Sequence, residues 1–160
     1  MKALIVYDSF FGNTEKIAQA IAAAMEATGE VQAIRAGETV PEQLQGLDLL
    51  VVGSPTRAFT MSEKTKEFLT RITAGGLQGL KFAAFDTRML PQDVNNAVYT
   101  FFSGVFGFAA PKIAKRLEKK GANLILPPEG FAVTGGEGPL KDGEVERASA
   151  WGWALLEKVS

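Results

Sequence analysis

Cysteine and histidine are both absent from the 160 residues. Without cysteine there are no disulfides, no thiolate metal sites and no thiol nucleophile. Without histidine the commonest general base and the commonest zinc ligand are missing, so triad hydrolysis and zinc catalysis are disfavoured. Redox chemistry, if the chain performs any, has to come from a bound cofactor. A charge excess is lacking too: 17 basic and 18 acidic residues leave a formal charge of -1, which gives no general attraction to nucleic acid and no strong acidic field. No apolar run approaches the roughly 20 residues of a membrane span, so no transmembrane segment is expected. The first residues enter a strand directly, with no charged leader and apolar stretch before it, and a cytoplasmic location is the expectation.

What is present is average for a soluble domain, with 46% hydrophobic and 22% charged residues. The length fits one domain over 1–160. Ala3 to Tyr7 is a short, unalternating apolar run of the kind that forms a central parallel strand. Ile17, Ile21, Ala24 and Met25 then recur at helical spacing until Gly29. Further strands are expected at Val31–Ala36, Leu47–Val52 and Leu80–Phe85, and a fifth, interrupted by Pro127-Pro128, at Asn123–Leu126 and Phe131–Thr134. Helices are expected from Ser62 to about Ala74, from Pro111 to Lys120 and from about Gly143 to Val159, with Pro41–Leu44 a single turn. Alternating strands and helices imply a doubly wound α/β fold: a parallel sheet with helices on both faces, joined by right-handed crossovers.

Ligands in such sheets sit beyond the carboxyl ends of the strands. After the first strand come Ser9, Phe10, Phe11, Gly12, Asn13 and Thr14. Two hydroxyls, an amide and a glycine at a helix N-terminus make a phosphate cradle. The loop contains no lysine, so it lacks the Walker pattern for a triphosphate, and it has no glycine-x-glycine-x-x-glycine dinucleotide fingerprint. A lone threonine there would read as a helix cap.

The string Ile5-Val6-Tyr7-Asp8-Ser9-Phe10-Phe11-Gly12-Asn13-Thr14-Glu15-Lys16-Ile17-Ala18-Gln19-Ala20-Ile21 resembles the flavodoxin signature over its whole length. The resemblance implies a flavodoxin-like five-stranded sheet of order 2-1-3-4-5 and non-covalent FMN, with Ser9 to Thr14 around the phosphate. Phe10 and Phe11 stand where flavodoxins often carry threonines. By the same resemblance Pro55, Thr56, Arg57, Ala58 and Phe59 flank one face of the flavin ring. Asp86, Thr87 and Arg88 lie near its pyrimidine end, Arg88 as a donor toward N1 and the C2 carbonyl. Asp86 and Arg88 equally suit a simple pair. Ala58 replaces a glycine that flavodoxins often have beside flavin N5. A left-handed backbone is harder to reach with alanine, and this points toward two-electron transfer.

Val98 to Ala110, with four phenylalanines, is expected to be core and pocket wall. A patch for a partner, a membrane surface or self-association with a second subunit is the alternative. The implied function is electron transfer to a redox partner protein or a small-molecule acceptor, as a carrier rather than an enzyme with its own substrate. Two alternatives stand beside it: a flavodoxin-fold binding or regulatory module without flavin, and an FMN-dependent NAD(P)H:quinone-type reductase. No catalytic or metal-ligating side chain is assigned.

Overall fold

A computed structural model describes residues 1–160. The strands are β1 (Lys2–Tyr7), β2 (Glu30–Arg35), β3 (Leu49–Pro55), β4 (Lys81–Arg88), β5 (Asn123–Leu124) and β6 (Glu129–Ala132). The helices are α1 (Asn13–Met25), α2 (Glu63–Arg71), α3 (Ala97–Phe106), α4 (Ala109–Lys119) and α5 (Glu144–Val159). Two short 3-10 turns, Ala36–Glu38 and Pro41–Leu44, stand where a helix between β2 and β3 would be. The sheet order is β2-β1-β3-β4-β5, with β6 also on β4, and every strand pairing is parallel.

Strand residues alternate between the two faces, so each central strand feeds two cores. Ile5, Val51 and Phe85 meet Ile17, Ile21, Trp151 and Leu155 from α1 and α5. Leu4, Val6, Leu50 and Phe82 meet Phe68, Leu69, Ile113 and Leu117 from α2 and α4. This double burial explains why β1, β3 and β4 are apolar without alternation. Phe85, Phe131 and Trp151 pack edge-to-face in one cluster. The Phe85 ring lies so close over Gly53 that a Cβ there would overlap it, which explains a glycine in mid-sheet.

The fifth sheet position is split. β5 pairs with Lys81 and Phe82, and β6 with Phe85 to Arg88, so Ala83 and Ala84 have no partner residue on that side. Pro127 and Pro128 occupy the break.

Segment 98–110 departs from the expectation of a core element. Ala97–Phe106 is a helix capped by Asn96, whose side chain accepts the Tyr99 N–H at 3.1 Å. Only Ser103 within it is buried, while Phe101 is 65% and Val98 62% exposed. The physical reason is occupancy: α2 and α4 already cover that face of the sheet, leaving nothing for α3 to pack beneath. Its contribution to a pocket wall comes through Tyr99, which bonds the Met89 carbonyl at 2.9 Å.

Candidate functional site

The carboxyl ends of β1, β3 and β4 open into a cavity of about 540 Å³, within the range of small-molecule sites. One wall is the loop leading into α1. Gly12, at φ +87°, turns the chain into the helix. Its N–H donates to Ser9 Oγ at 3.1 Å, and Ser9 N–H donates to Asp8 Oδ1 at 2.9 Å. The backbone N–H groups of Phe10, Phe11, Asn13, Thr14 and Glu15 have no acceptor within the chain. These free donors, together with the positive end of α1, form an anion cradle built from neutral groups. Thr14 Oγ1 lies 2.8 Å from Thr87 Oγ1 in a buried contact, which ties the α1 start to the end of β4.

The second wall is a tight turn. Arg57 N–H donates to Thr60 O at 2.9 Å and Thr60 N–H to Arg57 O at 3.1 Å. The two residues between them, Ala58 (φ +48°) and Phe59 (φ +63°), are both left-handed although neither is glycine. This corrects the expectation drawn from alanine: Ala58 already occupies the conformation it was expected to resist. The two cross-turn hydrogen bonds hold it there. Arg57 reaches back over the first loop, with its guanidinium 5.1 Å from the Phe10 ring centroid and 5.6 Å from that of Phe11. It makes no ion pair.

Beneath the third wall Asp86 is fully buried. Its two oxygens receive Arg88 Nε and Nη2, each at 2.6 Å, and Oδ2 also accepts the Ala110 N–H at the start of α4 at 2.8 Å. Burial pushes its carboxyl above the ordinary range, and the Arg88 bonds oppose that shift. Arg88 is further held by the Phe108 ring, 4.0 Å below its guanidinium, and by Gly130, where a Cβ would overlap it. Asp86 therefore supports the cavity without lining it. Arg88 lines it with two donors already committed.

Ser9, Phe10, Phe11, Asn13, Thr14, Pro55, Thr56, Arg57, Ala58, Phe59, Thr87 and Arg88 all face the one cavity, whereas Gly12 and Asp86 do not. Thr56 Oγ1 also accepts the Ala109 N–H at 3.0 Å, which fixes α4 to this edge. Val133, Gly136 and Glu137 were missed from the sequence, while Met89 and Tyr99 lie in segments expected near the site without being singled out. The glycine-rich run Gly135-Gly136-Glu137-Gly138-Pro139 after the last strand was a legible loop signal. Its Glu137 carbonyl accepts Asn13 Nδ2 at 3.0 Å, closing the cavity beside the cradle. Tyr99 comes from α3, within the 98–110 segment expected to supply pocket wall, although it was not singled out there. Burial raises its phenol, so it is a neutral hydroxyl at ordinary pH.

A family model described as a flavodoxin domain matches residues 4–138. The chain is 32% identical to an NAD(P)H dehydrogenase (quinone) of Archaeoglobus fulgidus, over 42% of this chain and 49% of that one. It is 35% identical to an enzyme of the same description from Cupriavidus metallidurans, over 48% of each. The match thus spans about half the length of these curated relatives. Among solved structures, a flavodoxin from the domain Archaea superposes with a TM-score of 0.79 at 24% identity, covering 99% of both chains. Oxidised Flavodoxin 2 from Bacillus cereus gives 0.76 at 25% identity, again over 99% of both.

Proposed function

Because this chain belongs to the flavodoxin family, and is thereby an FMN-binding redox protein, we propose that residues 1–160 act as one cytoplasmic electron-transfer domain. The Ser9–Thr14 loop holds the FMN phosphate, and the ring lies between the Pro55–Phe59 turn and the Thr87–Met89 edge. The observation that carries this reading is the run of unpaired N–H groups at Phe10, Phe11, Asn13, Thr14 and Glu15. A phosphate monoester fits such a cradle, whereas a more highly charged ligand would call for cations in the loop. The two phenylalanines remove side-chain hydroxyls from it, but the backbone donors remain.

FMN, when bound, supplies reversible uptake of one or two electrons. The chain's own residues orient it and tune its surroundings. Arg88 is neutralised by Asp86, so Arg57 is the unpaired cation that lines the cavity, placed to favour negative charge on its ring side. Phe59 and Tyr99 supply an apolar wall there. Donor and acceptor are a redox protein or a small molecule. The quinone-dehydrogenase relatives favour a second reading over the half they match, in which a nicotinamide donor reduces the flavin and a quinone takes the electrons.

The test is to release and identify the flavin of the purified protein, then titrate the stripped protein with FMN and with riboflavin by fluorescence quenching. FMN is expected to bind at least about tenfold more tightly, equivalent to about 1.4 kcal/mol. Equal affinity for the two flavins would refute the cradle assignment. Absence of any binding would leave the flavin-free module as the reading.

A further inference from the structure

Half of the large hydrophobic side chains exposed on the surface lie along α3: Val98, Phe101, Phe102, Val105 and Phe106. These stand at i, i+3, i+4, i+7 and i+8, the spacing of a single helix face, and the helix bears no charge. The stripe is continuous with the cavity mouth. Phe59 packs against Tyr99, Phe102 and Phe106 with ring centroids 5.6 to 6.4 Å apart.

The free charges beside it are cationic, whereas the unpaired carboxylate Glu137 lines the cavity at the wall next to Asn13. Arg57 and Lys112, whose ammonium donates to the Phe59 carbonyl, sit at the mouth, and Lys115 follows one turn along α4. None of the three is ion-paired. The acidic residues that flank the patch in sequence, Glu63 and Asp93, are already paired with Lys66 and Lys141. A second copy packed on this face by a two-fold axis would bring the same three cations together across the seam. An anionic lipid surface would instead neutralise them while taking up the phenylalanines. A membrane span is excluded by geometry. The ten residues of α3 rise only about 15 Å, half the hydrocarbon thickness, and the chain turns at Gly107 into α4 with its Lys112, Lys115, Arg116 and Lys119.

We propose that α3 is a membrane-surface anchor, lying flat in the headgroup region of an anionic bilayer with Val98, Phe101 and Val105 inserted and Arg57, Lys112 and Lys115 on the lipid phosphates. Docked this way, the cavity opens at the bilayer surface, and an acceptor or donor dissolved in lipid reaches it laterally. That last consequence rests on the FMN reading; the anchor itself does not.

The experiment is co-sedimentation of the FMN-loaded protein with vesicles of roughly 30% phosphatidylglycerol in phosphatidylcholine, against pure phosphatidylcholine. The protein is expected to pellet with the anionic vesicles and to be released by salt as screening shortens the Debye length. The triple variant Val98→Ser, Phe101→Ser, Val105→Ser replaces no cavity-lining residue. It is expected to keep its circular dichroism and FMN affinity while vesicle partitioning falls at least about tenfold. Lys115→Glu is expected to give a smaller loss and a shallower salt dependence. Wild-type protein that fails to pellet, or a triple variant that pellets equally, overturns the proposal. So does a wild-type dimer that the triple variant dissociates, since the face would then belong to a second copy. FMN affinity is read separately, so failure of the anchor is distinguishable from failure of the flavin site.

Discussion

Replacing Ala58 with glycine is expected to stabilise the protein, although it deletes a methyl group next to the proposed flavin site. Ala58 sits at φ +48° in a turn whose other central residue, Phe59, is also left-handed. A non-glycine residue in that region costs about 1–2 kcal/mol. Glycine relieves this cost but adds about 0.4–1 kcal/mol of chain entropy to the unfolded state. Ala58 is exposed, so the lost methyl forfeits little burial. The balance is a gain of about 0.5–1 kcal/mol, which in a chain of this size raises Tm by about 1–4 °C. Thermal and urea unfolding of the flavin-free protein, at constant m, measures it. A midpoint below wild type would refute the claim that the turn stores strain. Phe59→Gly provides the contrast: it relieves the same strain but removes the packing on Tyr99, Phe102 and Phe106, and a net loss of stability is expected.

Asp86→Ala strands the largely buried Arg88 and the Ala110 N–H together. A loss of about 3–5 kcal/mol in urea unfolding is expected, and a loss under 1 kcal/mol would show the pair to be dispensable. Glu144 concerns pH. Burial alone would raise its carboxyl, but hydrogen bonds from Arg147 and the Ala132 N–H, with the charges of Arg147 and Lys141, bring it below the ordinary value of 4.5. A carboxyl lowered in the folded state stabilises above its unfolded pKa, and that contribution is lost as pH falls through the folded value. Glu144→Gln should therefore flatten the acid limb of stability below about pH 4.5. Superimposable acid limbs for the two proteins would contradict this.

The sheet was legible because its signals are local. Unalternating apolar runs such as Leu49–Val52 state burial on both faces, and the proline pair at 127–128 announced the break in the fifth position. The turn of free N–H donors into α1 was legible for the same reason, being one contiguous string. What failed was reading location from hydrophobicity. The composition of α3 says that it avoids water, but its place depends on whether any core face remains open, and α2 and α4 had filled it. Asp86 and Arg88 illustrate the same limit. Their spacing along one strand put both on the same side, but only the arrival of Ala110 and Phe108 decides which faces the cavity. The conformation of Ala58 was hidden too, because closure by Arg57 and Thr60 overrides the preference of the residue between them.

The broken fifth position bears on how this chain behaves in a crowded solution. A long, regular outer strand presents a row of free N–H and C=O groups on which another molecule's strand can polymerise. Here that border is cut into pieces of two and four residues by a proline pair, and the pieces pair with β4 at separate heights. No uninterrupted ladder is left there for a foreign strand to extend. The irregularity works as protection against fibril seeding and edge-to-edge stacking, in a protein that already exposes one apolar helix face.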